Sequence, residues 1–213
     1  MAYGAVLSRL LEAYYRGPNH PAKLRPLHLF ESVTGPRRIV ARTEAGFALA
    51  VDHADLLQRT ELYDGVWEPV ESRFFQQNLR PDDVLYDIGA NIGYFTCLAL
   101  RAGVRHVVAF EPDPLTSQVL SLNLQLNAFD PCSDRDEVDI EGWEEPMLRG
   151  ASETLGKLKP RMIVFEAEST AAREMRADGL RHLLESAGYE INWLSSPLAY
   201  GKSNYVARQR GAA

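Results

Sequence analysis

Apolar residues in the second half of the chain form two alternating patterns, short continuous runs and longer amphipathic stretches. The short runs predict buried strands, and the stretches with apolar residues three and four apart predict helices. The predicted strands are residues 84–88, 106–110, 138–141, 161–166, 189–194 and 204–208, and the predicted helices are 92–102, 114–127, 144–158 and 171–187. Strands that alternate with helices predict a mostly parallel sheet with helices on both faces. The last strand follows its predecessor by a short connection, so we expect it to run antiparallel.

The N-terminal part of the chain lacks this alternation. Its pattern predicts helices at 2–15, 54–63 and 70–79, and a hairpin in which Arg38–Arg42 pairs with Phe47–Val51. We therefore predict an N-terminal helical and hairpin appendage over residues 1–80 and an α/β core over residues 81–210.

The first strand of the predicted core runs into a glycine-rich turn. Asp87 lies one residue before the end of this strand, and Gly89-Ala90-Asn91-Ile92-Gly93 follows it. Glycines allow the backbone to turn sharply and to approach a ligand closely. The helix N-terminus behind the turn offers N–H groups and the positive end of the helix dipole. Glu111 ends the next strand, where an acid can accept both ribose hydroxyls of an adenosine. The unit therefore predicts a nucleotide-binding site.

The spacing within the turn bears on which cofactor binds. In the dinucleotide fingerprint G-x-G-x-x-G, pyrophosphate lies against the second glycine. Here Asn91 holds that position, and Asp87 would bring a negative charge towards the pyrophosphate. S-adenosylmethionine has an ammonium, a sulfonium and a ribose but no phosphate, so it fits this turn better. The pattern disfavours a nicotinamide-dependent oxidoreductase, and another Rossmann-like turn with a structural aspartate stays an alternative.

Composition and charge narrow the class of protein. The 213 residues fit one domain with an appendage, and the net charge of −6 disfavours nucleic acid as a partner. No run approaches the ~18 apolar residues of a membrane span, and no export signal is visible. With only two cysteines, we expect a cytoplasmic protein without disulfides. The five histidines lack metal-ligand spacing.

Four segments of the chain together resemble the FkbM family of methyltransferases. They are residues 65–69, residues 84–96, residues 108–114 with 123–127, and residues 138–151 with 163–166. The resemblance covers roughly residues 62–195. The glycine turn is shared by many methyltransferases, whereas Asp139-Ile140-Glu141-Gly142-Trp143-Glu144 is much more particular to this family.

The resemblance implies a Rossmann-like class I fold and transfer of a methyl group from S-adenosylmethionine. The acceptor would be a hydroxyl on a small molecule, a natural product or a sugar. The residues expected to bind the donor are Asp87, Gly89, Ala90, Asn91, Gly93, Thr96, Glu111, Pro112 and Asp113.

Two carboxylates are the candidates for catalysis. Asp139 and Glu141 end the strand expected beside the donor, and ligands bind at that edge of such sheets. One of them could take the proton of the acceptor hydroxyl. A divalent metal could act there instead, although no ligand spacing in the sequence supports one. In the structural alternative, Glu141 caps the following helix.

The chain departs from the family pattern between Asn127 and Asp139, where only 11 residues lie. The family normally has a third strand and another helix there. Strand 138–141 either keeps its family position beside strand 84–88 or takes the vacant slot beside strand 106–110. In the second case both carboxylates would lie far from the donor methyl group. The alternative function is then a donor-binding protein with lost or reduced catalysis.

Overall fold

The structure is a computed structural model that describes most of the chain. The described residues are 38–52, 65–129, 149–169, 175, 178–195 and 202–210. The chain forms two compact units, residues 1–139 and residues 140–213. The predicted helices 2–15 and 54–63 and the predicted strand 138–141 lie outside the described residues. The proposed boundary between an appendage over 1–80 and a core over 81–210 stays a prediction.

The first unit begins with the predicted hairpin. Strand β1 (Arg38–Arg42) pairs antiparallel with strand β2 (Ala48–Asp52), with Arg42 opposite Ala48. Leu49, Ala50 and Val51 are all buried, so both faces of the middle of β2 are covered. The hairpin prediction is confirmed.

The first unit also contains a parallel pair of strands. Helix α1 (Pro69–Asn78) precedes β3 (Val84–Ile88), α2 (Tyr94–Arg101), β4 (His106–Phe110) and α3 (Pro114–Leu126). Strands β3 and β4 pair in parallel, with Val84 opposite His106 and Ile88 opposite Phe110. Both strands begin and end as the sequence predicts, and their carboxyl ends lie at the same edge.

One apolar core joins the hairpin to the helices of the first unit. Helix α3 contributes Val119, Leu120 and Leu124, which lie on one face of the helix. The main buried side chains are Phe47, Leu49, Val51, Ile92, Tyr94, Cys97, Leu98, Val119, Leu120 and Leu124. The hairpin therefore shares its core with the helices that follow β3 and β4.

The second unit is an antiparallel sheet covered by helices. Its elements are α4 (Ser152–Leu158), β5 (Met162–Glu168), α5 (Asp178–Ser186), β6 (Tyr189–Ser195) and β7 (Lys202–Gln209). Strand β7 lies between β5 and β6 and runs antiparallel to both, which confirms the expected direction of the last strand. Its core contains Phe165, Leu180, Leu184, Tyr189 and Tyr205.

Helix α2 begins later than the sequence predicts. The expected start is residue 92, but the first helical residue is Tyr94. Asn91 and Gly93 have φ angles of 51° and 88°, which lie in the left-handed region and cannot belong to a right-handed helix.

Among the described residues, no helix is both long and apolar enough to cross a lipid bilayer.

Candidate donor site at the glycine turn

The glycine turn is anchored to the end of the neighbouring strand. The backbone N–H groups of Gly89 and Ala90 both donate to the carbonyl of Phe110, at 3.0 and 2.9 Å. Gly93 N–H donates to the carbonyl of Ala90 at 2.8 Å and closes the turn. These bonds place the turn over the carboxyl ends of β3 and β4, where ligands bind in open α/β sheets.

Glu111 connects this turn to the segment after β4. One carboxylate oxygen, Oε2, accepts from Asn91 N–H at 2.7 Å, and the other, Oε1, accepts from Asp113 N–H at 3.0 Å. The side chain is only 7% exposed. Glu111 therefore shapes the turn through both of its carboxylate oxygens.

Asp87 caps the helix that follows the turn. Gly93, the N-cap residue of α2, has no side chain to accept a helix N–H. Instead, the Asp87 carboxylate accepts from the Thr96 hydroxyl at 2.5 Å and from the Thr96 backbone N–H. Asp87 as a whole residue is partly exposed, but its carboxyl group lies within the protein. Burial of the carboxyl raises the pKa of Asp87 by more than the bonds from Thr96 lower it.

The thiol of Cys97 lies behind the same site. It is fully buried, and burial together with the negative charge of Asp87 raises its pKa to about 12. A thiol with that pKa is protonated at neutral pH, so Cys97 acts as a small apolar side chain and not as a nucleophile.

Packing explains the glycine at position 93. A Cβ atom there would lie 3.1 Å from Cγ of Leu120 in α3, and the φ angle of +88° disfavours any side chain. Ile92 N–H donates to Oδ1 of Asn91 at 2.8 Å, which supports the left-handed conformation of that asparagine. The turn and α3 are thus held in close contact.

Asp113 is the N-cap of α3. Its carboxylate accepts from the Thr116 backbone N–H at 2.7 Å and from the Thr116 hydroxyl at 2.6 Å, and these bonds lower its pKa. Pro112, before the cap, is half-buried, and Pro114 is the first helical residue. The predicted donor-binding roles of Pro112 and Asp113 stay predictions.

The first segment of the family resemblance lies near the start of α2. Ser72, in α1, donates to the carbonyl of Trp67, and its hydroxyl oxygen lies 3.0 Å from that of Tyr94. Burial raises the pKa of Tyr94. Trp67 packs against the apolar core, and this packing helps to join α1 to α2.

Asn123 of α3 and Asn127, the C-cap residue of α3, hold the hairpin, a role that the sequence analysis did not assign. Asn123 is fully buried; its Oδ1 accepts from Ala50 N–H at 2.6 Å, and its Nδ2 donates to the Ile92 carbonyl at 2.7 Å. Asn127 pairs with both the N–H and the carbonyl of Ala48, at 2.7 Å each. The available signal was a pair of amides four residues apart on the apolar side of a predicted helix.

The structure brings the residues predicted to bind the donor close together, and their roles in binding stay predictions. Asp139 and Glu141 lie outside the described residues, so their roles stay predictions. Within the described parts of the chain, no three histidine, cysteine, aspartate or glutamate side chains form a group that could hold a metal ion.

Comparison with solved structures gives the fold class. The chain is similar to TYW2 from Pyrococcus horikoshii in complex with MeSAdo, with 18% identity, a TM-score of 0.52, and 89% of this chain and 84% of that chain covered. It is also similar to Trm5 from Methanocaldococcus jannaschii in complex with adenosine, with 13% identity, a TM-score of 0.53 and coverage of 81% and 55%. The METTL16 methyltransferase domain gives 12% identity, a TM-score of 0.51 and coverage of 90% and 92%.

These similarities establish the Rossmann-like fold of class I S-adenosylmethionine-dependent methyltransferases, as predicted. The Methyltransferase FkbM domain matches residues 137–191 and confirms the family resemblance over that part of the chain. No curated protein matches the sequence.

Proposed function

We propose that the protein transfers a methyl group from S-adenosylmethionine to a hydroxyl on a small molecule, a natural product or a sugar. The observation that carries the proposal is the carboxylate of Glu111, fixed at the end of β4 by Asn91 N–H and Asp113 N–H. An acid held at this position can accept ribose hydroxyls without first ordering its own side chain.

The charges around the turn fit this donor better than a dinucleotide. Asp87 lies in β3 near its carboxyl end, and Glu111 follows the last residue of the adjacent strand β4. Two carboxyl groups at one edge disfavour a pyrophosphate and favour a ligand that carries an ammonium and a sulfonium. Burial raises the pKa of Asp87, and a cationic ligand nearby would favour its ionised form.

The donor supplies a methyl group that is already activated on sulfur, so the protein has to orient the reacting groups. Correct alignment of two reactants can lower a barrier by ~7–11 kcal/mol. In our proposal Glu111 holds the ribose, and the residues of the glycine turn hold the amino-acid end of the donor. Asp139 or Glu141 takes the proton of the acceptor hydroxyl, for which a positioned base is typically worth ~10²–10⁴ in rate.

The acceptor is proposed from charge and from the family resemblance. The net charge of −6 opposes association with a nucleic-acid backbone. The FkbM match over residues 137–191 supports a hydroxylated small molecule, because methylation of such acceptors is what the family resemblance implies.

Calorimetry followed by turnover tests the proposal in two steps. S-adenosylhomocysteine should bind the purified protein, whereas NAD should not. Transfer of a labelled methyl group to a panel of hydroxylated small molecules should then give product, and matched deoxy compounds should not. Failure to bind S-adenosylhomocysteine would exclude a donor site. Binding without turnover on any acceptor would favour the alternative, a donor-binding protein. In that protein catalysis would have been lost because the segment over residues 128–138 is shorter than in the family.

A further inference from the structure

The buried amide of Asn123 connects three elements of the first unit. Its side chain extends from α3, accepts from Ala50 N–H in the hairpin and donates to the carbonyl of Ile92 in the glycine turn. The bonds are 2.6 and 2.7 Å long, and the side chain has no solvent exposure. One side chain thus bridges the hairpin and the candidate donor turn.

The geometry of α3 and β2 explains why two asparagines fit here. Four residues of an α-helix rise about 6 Å, and two residues of a strand rise about 6.6 Å. Asn123 and Asn127 are one helical turn apart, and they bond to Ala50 and Ala48, which are two strand positions apart. The amides therefore take the place of a neighbouring strand along the outer edge of β2.

The two asparagines differ in one respect that separates their roles. The bonds of the Asn127 side chain go to Ala48 and to the carbonyl of Asn123, at 2.7 Å. Only Asn123 reaches the glycine turn. Its partner, Ile92, lies between Asn91, which is held by Glu111, and Gly93, which packs against Leu120.

We propose that Asn123 is a positioning residue that couples docking of the hairpin to the geometry of the donor turn. This inference rests on the proposed function, because it assigns the turn to the donor. Donation from the Asn123 amide orients the Ile92 carbonyl, and with it the peptide that joins Ile92 to Gly93. Since coupling between two binding events is reciprocal, a donor that favours this turn geometry also favours the docked hairpin.

A matched pair of variants tests the coupling. Asn123→Asp and Asn127→Asp each keep an oxygen that can accept from the hairpin N–H, and each remove an amide donor. Only the first removes the donor to Ile92. We expect Asn123→Asp to weaken binding of S-adenosylhomocysteine by about fivefold or more, within the usual range for coupled sites. Asn127→Asp, which also perturbs the hairpin, should stay within about twofold of wild type. Equal losses in the two variants would overturn the proposal.

A measurement on the wild-type protein covers the case in which Asn123→Asp does not fold. Saturating S-adenosylhomocysteine should slow hydrogen exchange of the Ala48 and Ala50 amides, which these asparagines hold. No change in exchange, with the ligand bound, would contradict the coupling while leaving the donor site intact. No binding of the ligand to wild type would instead overturn the proposed function and the inference with it.

Discussion

The side-chain amide of Asn127 pairs with Ala48 as a neighbouring strand would. Its oxygen accepts from the Ala48 N–H and its nitrogen donates to the Ala48 carbonyl, both at 2.7 Å. An exposed strand edge presents unpaired backbone groups, and here the side chain of the residue that caps the C-terminus of α3 satisfies them. The hairpin is therefore fixed to α3 by directed bonds as well as by apolar packing.

Removal of this pairing should destabilise the first unit. We expect Asn127→Ala to lower the free energy of unfolding by about 1–3 kcal/mol, because two partly buried backbone groups lose their partner. Gln125→Ala is the matched control, since Gln125 is an exposed amide on the same helix, and it should change stability by less than about 0.5 kcal/mol. Urea unfolding of the three proteins measures the difference. Equal stability of both variants would mean that the Asn127 bonds contribute nothing net.

A second prediction separates backbone strain from packing at two glycines. Gly93 and Gly103 have φ angles of +88° and +96°, but a Cβ at Gly93 would lie 3.1 Å from Leu120, whereas a Cβ at Gly103 would meet nothing within 4 Å. Alanine at either position should cost roughly 1–2 kcal/mol for the left-handed conformation. Gly93→Ala should cost measurably more, because α3 has to move. Thermal unfolding of both variants checks this, and a larger loss for Gly103→Ala would contradict it.

The strands could be predicted from the sequence, whereas the bonds that tie the elements together could not. The apolar runs at 84–88 and 106–110 match β3 and β4 because a short apolar run between turn residues is a local pattern, even though Val84 and Tyr86 of β3 are exposed. The partner of Asn123 in the hairpin is 73 positions away, and no local pattern encodes such a contact.

The start of α2 illustrates a second limit of the sequence. Apolar spacing predicts helix from residue 92, but Gly93 has a left-handed conformation, and Glu111, which follows the next strand, accepts the N–H of Asn91 within the turn. Residues of the donor turn could be named from the spacing of its glycines. That Glu111 shapes the turn, and that Asp87 caps a helix, required the structure.

The buried carboxyl of Asp87 should make the free energy of unfolding fall as the pH rises. Because its folded pKa is raised, Asp87 contributes most to stability below its unfolded pKa, and the contribution is lost as the pH rises through the folded value. Asp87→Asn should therefore gain stability relative to wild type as the pH rises from about 3 towards neutral, while donor binding weakens. Urea unfolding over this pH range measures the difference, and a constant difference would contradict the prediction.

Asp113→Asn provides a control, because its change in stability with pH should have the opposite sign to that of Asp87→Asn. Bonds from Thr116 lower the pKa of Asp113, so its charge stabilises the fold above the ordinary pKa, and this stabilisation is lost as the pH falls through the lowered value. Asparagine is also a good N-cap, so the variant removes mainly the charge. Relative to wild type, this variant should lose stability as the pH rises, the reverse of Asp87→Asn.

The two roles of Glu111 can be separated with a donor analogue. Glu111→Ala should weaken binding of S-adenosylhomocysteine by roughly 10- to 100-fold, which corresponds to the ~1.5–3 kcal/mol of charged hydrogen bonds. An analogue without both ribose hydroxyls should lose less affinity in the same variant, because only the change in the turn affects it. Calorimetry with both ligands gives the two losses. Equal losses would contradict a ribose contact and leave Glu111 as an anchor of the turn alone.

The last prediction concerns Asp139 and Glu141. The position of strand 138–141 in the sheet decides whether either carboxylate can act in methyl transfer. If strand 138–141 lies beside β3, both carboxylates end near the donor methyl group, and one can take the proton of the acceptor hydroxyl. Asp139→Asn or Glu141→Gln should then reduce kcat by ~10²–10⁴ and leave affinity for S-adenosylhomocysteine within about threefold. Both substitutions keep side-chain shape, so unfolding curves should match wild type. Loss of wild-type activity with a chelator would assign the carboxylates to a metal. Normal turnover in both variants would make them structural, and it would favour the slot beside β4 for this strand, because a carboxylate there has no route to the reacting hydroxyl.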